Sequence, residues 1–332
     1  MRVTSDCWYA VLLSRELRRR PLGVERLGRR LVFWRTADGT AHALPDRCPH
    51  LGAALSGGTI RSDRLVCPFH GIEFDAGGTC RHIPAIGRDG RIPAAMALDA
   101  LVLREAHGFL WLWWGAPRAQ YPELPYFAEL EDGWRHATIT VDWPAHYSRA
   151  IENQLDVAHL PFVHRSTIGA GGETLVEGPH VEADETGIRV WITNTKDTGQ
   201  RPREPADLAA AAAGTEPTVS FRFPATWLLN IAPRFKNFIA FVPINAGHTR
   251  YYLRACHRRE PAIVASLFAA ATCLSNRLIL SQDRRVVVTQ TPPDSADARA
   301  DRPLASDRAI IEYRRLQARL LARAASPAHD AD

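Results

Sequence analysis

Two short segments of this chain each offer one thiol and one imidazole: Cys48-Pro49-His50 and, sixteen residues further on, Cys67-Pro68-Phe69-His70-Gly71. No other feature limits the fold so tightly, because four ligands arriving as two matched pairs require two backbone turns to meet tip to tip. Thiolate and imidazole together suit zinc or an iron–sulfur cluster. Zinc fingers, however, run Cys, Cys, His, His, with the histidines on a helix. Here the order alternates between hairpins, which predicts one [2Fe–2S] cluster per chain, Cys48 and Cys67 on one iron and His50 and His70 on the other. Exchanging two anionic thiolates for neutral imidazoles raises the reduction potential, so such a cluster suits a relay fed by a stronger reductant. Prolines after both cysteines and glycines at 52 and 71 suit tight loops whose N–H groups can face the sulfurs. Cys7, Cys80, Cys256 and Cys273 lack metal-like spacing and read as buried, inert thiols. Six cysteines in 332 residues are too few for a disulfide scaffold.

The segments around the cluster loops read as strands and turns. Leu31 to Arg35 and Ala41 to Leu44 flank an Asp38-Gly39 turn, and Leu65-Val66 and Ile72 to Phe74 flank the second loop. A turn at Ala76-Gly77-Gly78 follows, and Leu101 to Arg104 with Phe109 to Trp114 close a small antiparallel β domain around His107-Gly108. The proline-rich stretch 115–125 reads as a boundary, giving domains 1–116 and 117–332. Beyond it, Ala145 to Ala158 suits a helix, and strands are expected at Gly187 to Asn194, Thr218 to Phe223, Phe238 to Pro243 and Thr249 to His257. Helices are predicted from Pro261 to about Gln290 and from Ser306 to Arg323. The polar, Ala- and Pro-rich insert Thr195 to Glu216 reads as a floppy surface loop in preference to an active-site lid. The final residues, SPAHDAD, read as disordered.

Composition narrows the function classes. Hydrophobic residues at 46% and charged residues at 23% are those of a globular protein. The net charge of +5 is carried by scattered arginines with no basic stripe, so nucleic acid is not an expected partner. An acidic electron-transfer partner fits the same charge. No run of about 18 apolar residues suggests a membrane span, and the start lacks a secretory signal, so the cytoplasm is the expected compartment.

A second dense constellation spans Glu152 to His164: Asp156 and His159 are one helical turn apart, and His164 lies five residues on. A straight helix could not converge both histidines on one metal, but Pro161 is expected to break it and turn His164 back. Two histidines need a carboxylate to complete the facial triad of a mononuclear Fe(II) oxygenase, with positions left for O2 and substrate. Asp283 is the candidate, a carboxylate near the end of a long, otherwise apolar helix. An exposed Asp283 paired with a neighbouring arginine is the alternative, and Glu152 and Asp294 are weaker ligand candidates.

With both motifs placed, the chain resembles the oxygenase component of Rieske non-haem iron oxygenases. The likeness is to the short group containing vanillate and dicamba O-demethylases and saxitoxin-pathway hydroxylases. It runs from Trp8-Tyr9-Ala10-Val11 through both metal motifs to Gln282-Asp283-Arg284 with Gln290, and on to Ser306-Asp307-Arg308 with Tyr313-Arg314-Arg315. The resemblance implies an α+β fold: an antiparallel β Rieske domain, then a helix-grip (START-like) catalytic domain with its sheet around a long helix. It implies His159, His164 and Asp283 as ligands of one Fe(II) per chain, and Asp156 as the catalytic bridge between His159 and the cluster's His70. In relatives that bridge crosses between neighbours in a head-to-tail ring, which implies a homotrimer. It also implies O2 as co-substrate, a small-molecule substrate, and electrons from NAD(P)H through a separate reductase, with or without a ferredoxin, since no flavin, nicotinamide or plant-type ferredoxin motif is seen.

The expected reaction is monooxygenation, either hydroxylation or oxidative O- or N-demethylation. Aromatic-ring cis-dihydroxylation is the alternative; a stand-alone Rieske carrier or a zinc-bound ligand transporter would leave the second motif unexplained. Trp227, Asn230, Phe238 and Phe241 are possible pocket residues, though aromatics there read first as core. His146, His180 and His248 have no partner spacing and read as ordinary histidines.

Overall fold

The computed structural model describes residues 1–258 and 262–325. Pro261, the expected start of the long helix, and the SPAHDAD tail lie outside them. Contacts divide the chain into two compact units, one of Met1 and Asp6–Leu124 and one of Arg2–Ser5 with Pro125 onward.

The first unit holds ten strands: β1 (Cys7–Leu13), β2 (Leu22–Arg26), β3 (Arg29–Arg35), β4 (Ala41–Pro45), β5 (Thr59–Arg61), β6 (Arg64–Val66), β7 (Glu73–Phe74), β8 (Cys80–His82), β9 (Leu103–Ala106) and β10 (Phe109–Trp114). They form three antiparallel sheets, ordered β1-β10-β9, β2-β3-β4 and β5-β6-β7-β8. β10 reads FLWLWW without alternation because it is the central strand of its sheet and buried on both faces. The β9–β10 hairpin turns on His107 and Gly108, at φ 53° and 71°, as a two-residue turn with both centres left-handed requires. The stretch expected as a linker is held to this unit as far as Leu124. Tyr121 packs against Trp8 and Trp113, and the Trp8 indole donates to the Pro122 carbonyl at 3.0 Å.

The second unit is built on seven strands: β11 (Arg135–Trp143), β12 (Leu175–Ala183), β13 (Gly187–Thr195), β14 (Val219–Arg222), β15 (Thr226–Ala232), β16 (Phe235–Asn245) and β17 (His248–His257). They make one antiparallel sheet, ordered β11-β17-β16-β15-β14-β13-β12. Among the described residues five helices accompany it: α1 (Tyr147–Leu155), α2 (Leu160–Val163), α3 (Pro205–Ala212), α4 (Ala262–Val287) and α5 (Arg308–Ala325). α4 packs on β11 and β17, α1 on β16, and α5 on β12 and β13, so the sheet wraps the long helix.

Three local expectations need correction. The helix expected to reach Ala158 stops at Leu155. Pro161 does not break a helix between the histidines; it opens the short α2, where a proline's missing N–H costs nothing. The insert 195–216 is not a floppy loop either. It carries α3, whose Leu208 and Ala212 are buried against β12, and Glu177 accepts from the Arg203 backbone and guanidinium.

Glu152, a weak ligand candidate, is committed elsewhere. With Arg149, Arg314 and Asp301 it forms a partly buried ion-pair network at 2.7–3.1 Å that ties α1 to α5. Asp294 pairs with Arg2 and caps a 3-10 turn through Ala296 N–H.

Candidate metal centres and cavity

The two cluster loops have the same backbone plan. Cys48 N–H donates to Ala53 O and Gly52 N–H returns to Cys48 O, while Cys67 N–H donates to Ile72 O and Gly71 N–H returns to Cys67 O, all at 2.8–3.1 Å. Each turn closes on a glycine with positive φ, 78° at Gly52 and 68° at Gly71, a backbone conformation glycine adopts without strain. The cysteines sit in the core of the unit with Trp34, Leu55, Leu65 and Phe74, at 1% and 2% exposure. Both imidazoles are exposed, their rings 4.7 Å apart. Burial pushes the Cys48 thiol up to about 11, against the pull of the His50 and Leu51 amides that face its sulfur.

This donor set fits a [2Fe–2S] cluster better than one zinc. A single tetrahedral ion with bonds of about 2.0–2.3 Å draws all four donor atoms to within roughly 4 Å of one another. Among the described residues, the one group of three or more metal-binding side chains with donor atoms within 4.8 Å is His159, His164 and Asp283. The Cys and His donors of the first site are more widely set, as two irons require.

The second site gathers at the ends of α2 and on α4. His159 precedes α2, His164 follows it, and one helical turn of chain sets their rings 5.2 Å apart. Asp283, 2% exposed on α4, brings Oδ1 to 2.9 Å from His164 Nε2 and 3.4 Å from His159 Nε2. Two ligands at about 2.1 Å from an octahedral ion and at right angles lie about 3 Å apart, so these spacings suit a facial triad. Buried Oδ1 has no well-directed hydrogen bond, whereas Oδ2 accepts from Gln154 at 3.5 Å. The exposed, arginine-paired Asp283 weighed from the sequence is thereby overturned.

The remaining ring nitrogens are committed to acceptors. His159 Nδ1 lies 3.1 Å from Asp156 Oδ2, and His164 Nδ1 2.7 Å from Gln282 Oε1. An Nδ1 proton held this way leaves each Nε2 lone pair free for a metal. Burial pushes the His159 imidazole down, but Asp156 and Asp283 more than reverse this and raise it to about 9. Burial likewise pushes the Asp283 carboxyl up, and the two imidazoles reverse it to about 2. Carboxylates and imidazoles thus stabilise one another's charged forms at this centre.

Above the triad lies a cavity of about 640 Å³, bounded by α1, α2, α4 and the inner face of the sheet. Its lining is mostly apolar and includes Trp227, whose indole donates to Gln154 O at 2.9 Å. Phe238 and Phe241 are core, and Asn230 donates to the Pro217 carbonyl at the far end of β15. His146 caps α1 through Ser148, an ordinary structural role. Burial raises the thiols of Cys7, Cys80, Cys256 and Cys273; only Cys80 and Cys256 are fully buried. The roles of Gln282 and Gln154 as partners of His164 and Asp283 went unrecognised in the sequence, although Gln282 stands in the Gln282-Asp283-Arg284 segment that carries the resemblance.

A small β domain with paired Cys-His loops, joined to a sheet-and-helix unit with a two-histidine, one-carboxylate site, defines the architecture of a Rieske oxygenase. Residues 7–100 match the Rieske [2Fe-2S] domain, and residues 143–323 match the vanillate O-demethylase oxygenase C-terminal domain. The chain belongs to this family of Rieske non-haem iron oxygenases, whose members use a mononuclear iron and O2. It is 33% identical over 168 residues to the dicamba O-demethylase oxygenase component of Stenotrophomonas maltophilia, covering 50% of this chain and 49% of that protein. The chain thus spans about half the length of the curated relatives it matches. Its fold matches that of dicamba monooxygenase bound to dicamba, with a TM-score of 0.76 at 23% identity over 97% of this chain and 98% of the other. It also matches Pseudomonas putida CBB5 NdmA with caffeine, with a TM-score of 0.76 at 22% identity over 96% and 92%. Among the described residues no helix is long and apolar enough to cross a membrane.

Proposed function

We propose that this chain is the oxygenase component of a cytoplasmic system that monooxygenates a small organic molecule, by hydroxylation or oxidative O- or N-demethylation. Electrons come from NAD(P)H through a separate reductase. The observation that carries the reading is the cavity of about 640 Å³ whose floor is His159, His164 and Asp283. When bound there, Fe(II) would supply the O2 chemistry. Cys48, His50, Cys67 and His70 would hold the cluster that relays electrons. Relatives with these names demethylate dicamba and vanillate, and NdmA holds caffeine, all ring-sized molecules compatible with such a cavity.

The chain's own residues have distinct tasks. Asp283 and the two Nε2 atoms would hold the iron from one side, with the cavity on the other. Apolar walls exclude water from the reacting centre. Asp156 holds the His159 Nδ1 proton with Oδ2, while its Oδ1 accepts Ala158 N–H at 2.7 Å, so the carboxylate is fixed at the end of α1. That geometry suits a bridge from His159 to a cluster histidine, His70, of a neighbouring copy. Exposed Leu51 and Phe69 beside the cluster histidines, and exposed Phe162 between the iron histidines, offer apolar contacts for such a head-to-tail trimer.

Iron and acid-labile sulfide measured per chain, on protein purified without oxygen, tests the assignment. About three irons to two sulfides are expected; zinc without sulfide would overturn it. Asp156→Asn should keep both metals and lose turnover by about 100-fold or more, and full turnover in that variant would refute the bridge.

A further inference from the structure

The cavity is apolar along Val219, Leu229, Ile239, Leu253 and Ile279, yet two amides meet on its lining. Asn237 on β16 and Asn276 on α4 are 7% and 5% exposed, and each donates to the other's carbonyl oxygen at 3.3 Å. An amide has two N–H donors and a carbonyl with two lone pairs. The mutual pair therefore leaves one donor and one acceptor on each side chain, and both residues line the cavity. Buried polar capacity of this kind is unfavourable unless something satisfies it.

Position adds a direction. Asn276 precedes Asp283 by seven residues, two helical turns, so both lie on one face of α4, with the amide about 10 Å along the axis from the carboxylate. Among the described lining residues, ionisable groups are confined to Asp156, His159, His164 and Asp283, all at the metal end, and no lysine or arginine lines the cavity. An anionic group carried to the amide end would lose its hydration without gaining a countercharge.

We infer that the cavity selects uncharged, single-ring substrates bearing an amide-like edge, a carbonyl beside an N–H, which pairs with Asn237 and Asn276 while the opposite end of the ring lies over His159, His164 and Asp283. The inference rests on the oxygenase reading above and names the substrate class for it. Asn237 and Asn276 are its specificity residues. Each can offer a donor to the ligand carbonyl and an acceptor to its N–H, so the edge is recognised in either orientation.

Calorimetric titration of the iron-loaded protein without oxygen, using 4-methoxybenzamide and 4-methoxybenzoate, tests this directly. The probes share ring and methoxy group and differ only in the edge. The amide should bind about tenfold or more tightly than the carboxylate. Asn276→Leu and Asn237→Leu, each verified by its visible cluster spectrum, should bring the ratio to within about threefold. Equal or tighter binding of the carboxylate, no binding of the amide at millimolar concentration, or an unchanged ratio in both variants would overturn the inference. The comparison on the unaltered protein needs no variant to fold. Formaldehyde release from the bound amide, with reductant and O2, reads the oxygenase activity separately. Preferential binding without formaldehyde counts against that activity, and release from the carboxylate in preference to the amide counts against the substrate class.

Discussion

Gln282 accepts the His164 Nδ1 proton at 2.7 Å and the Thr167 hydroxyl at 2.9 Å, while its own amide N–H donates to Ser166 at 3.3 Å. These three bonds fix which way the amide faces, and so which imidazole nitrogen of His164 carries the proton. Gln282→Leu should weaken iron binding by about 10- to 100-fold, read as iron retained after dialysis against a graded chelator. Gln282→Glu, which keeps an acceptor for Nδ1, should retain most of it. Equal iron retention in the leucine variant would show that His164 needs no such support. The contrast with the proposed ligands explains what the sequence could reveal. Cys48, His50, Cys67 and His70 are close in the chain and carry rare chemistry at a telling spacing. Asp283 was suspected because a carboxylate in an apolar helix needs a reason. Gln282 entered only as part of the Gln282-Asp283-Arg284 resemblance; it meets His164 across 118 residues, and no spacing betrays that contact.

Elements were legible where local chemistry speaks and obscure where tertiary packing decides. The two hairpins around Asp38-Gly39 and His107-Gly108 announce themselves through turn residues. β12 did not: a Gly178-Pro179 pair interrupts it, and its pairing with β13 shifts register between Glu177 and His180. α1 was extended too far because Asp156, Val157 and Ala158 show no stop signal; Asp156 ends the helix by turning its carboxylate to Ala158 N–H. One turn lends itself to a stability test. Asp75, between β7 and β8, accepts from Gly77 and Thr79 N–H and from Arg81. Burial pushes its carboxyl up, but Arg81 and these amides hold it below the usual range. A depressed folded value stabilises above the unfolded one, near 4, and that contribution fades as pH falls through the folded value. Asp75→Ala should therefore cost about 1 kcal/mol near neutral pH, with the gap narrowing in urea titrations below about pH 4. A gap constant with pH would mean that the charge contributes nothing.

For the whole molecule, the sequence motifs sufficed to order the two halves, the cluster first and the mononuclear site second. Composition alone could not have done so, and the wrap of seven strands around α4 depends on pairings far apart in the chain, such as β11 with β17. The proposed assembly belongs to this scale as well. Light scattering should give three copies of 36.9 kDa, and Phe162→Asp should shift the mass toward one copy and reduce turnover while leaving cluster and iron content intact. A fully active single copy would remove the case for a bridge between neighbours.

The separation of the ligands along the chain also has a consequence for biosynthesis. Cys48 to His70 is a contiguous stretch inside a unit completed by Leu124, and domains fold in order as they leave the ribosome. The cluster pocket is thus ready while translation continues. His159 and His164, by contrast, wait for Asp283 and then for α5, whose Arg314 locks Glu152 of α1. On the proposed assignment the cluster loops are therefore complete in the growing chain before Asp283 and α5 have been made, which separates the loading of the cluster from that of the single iron.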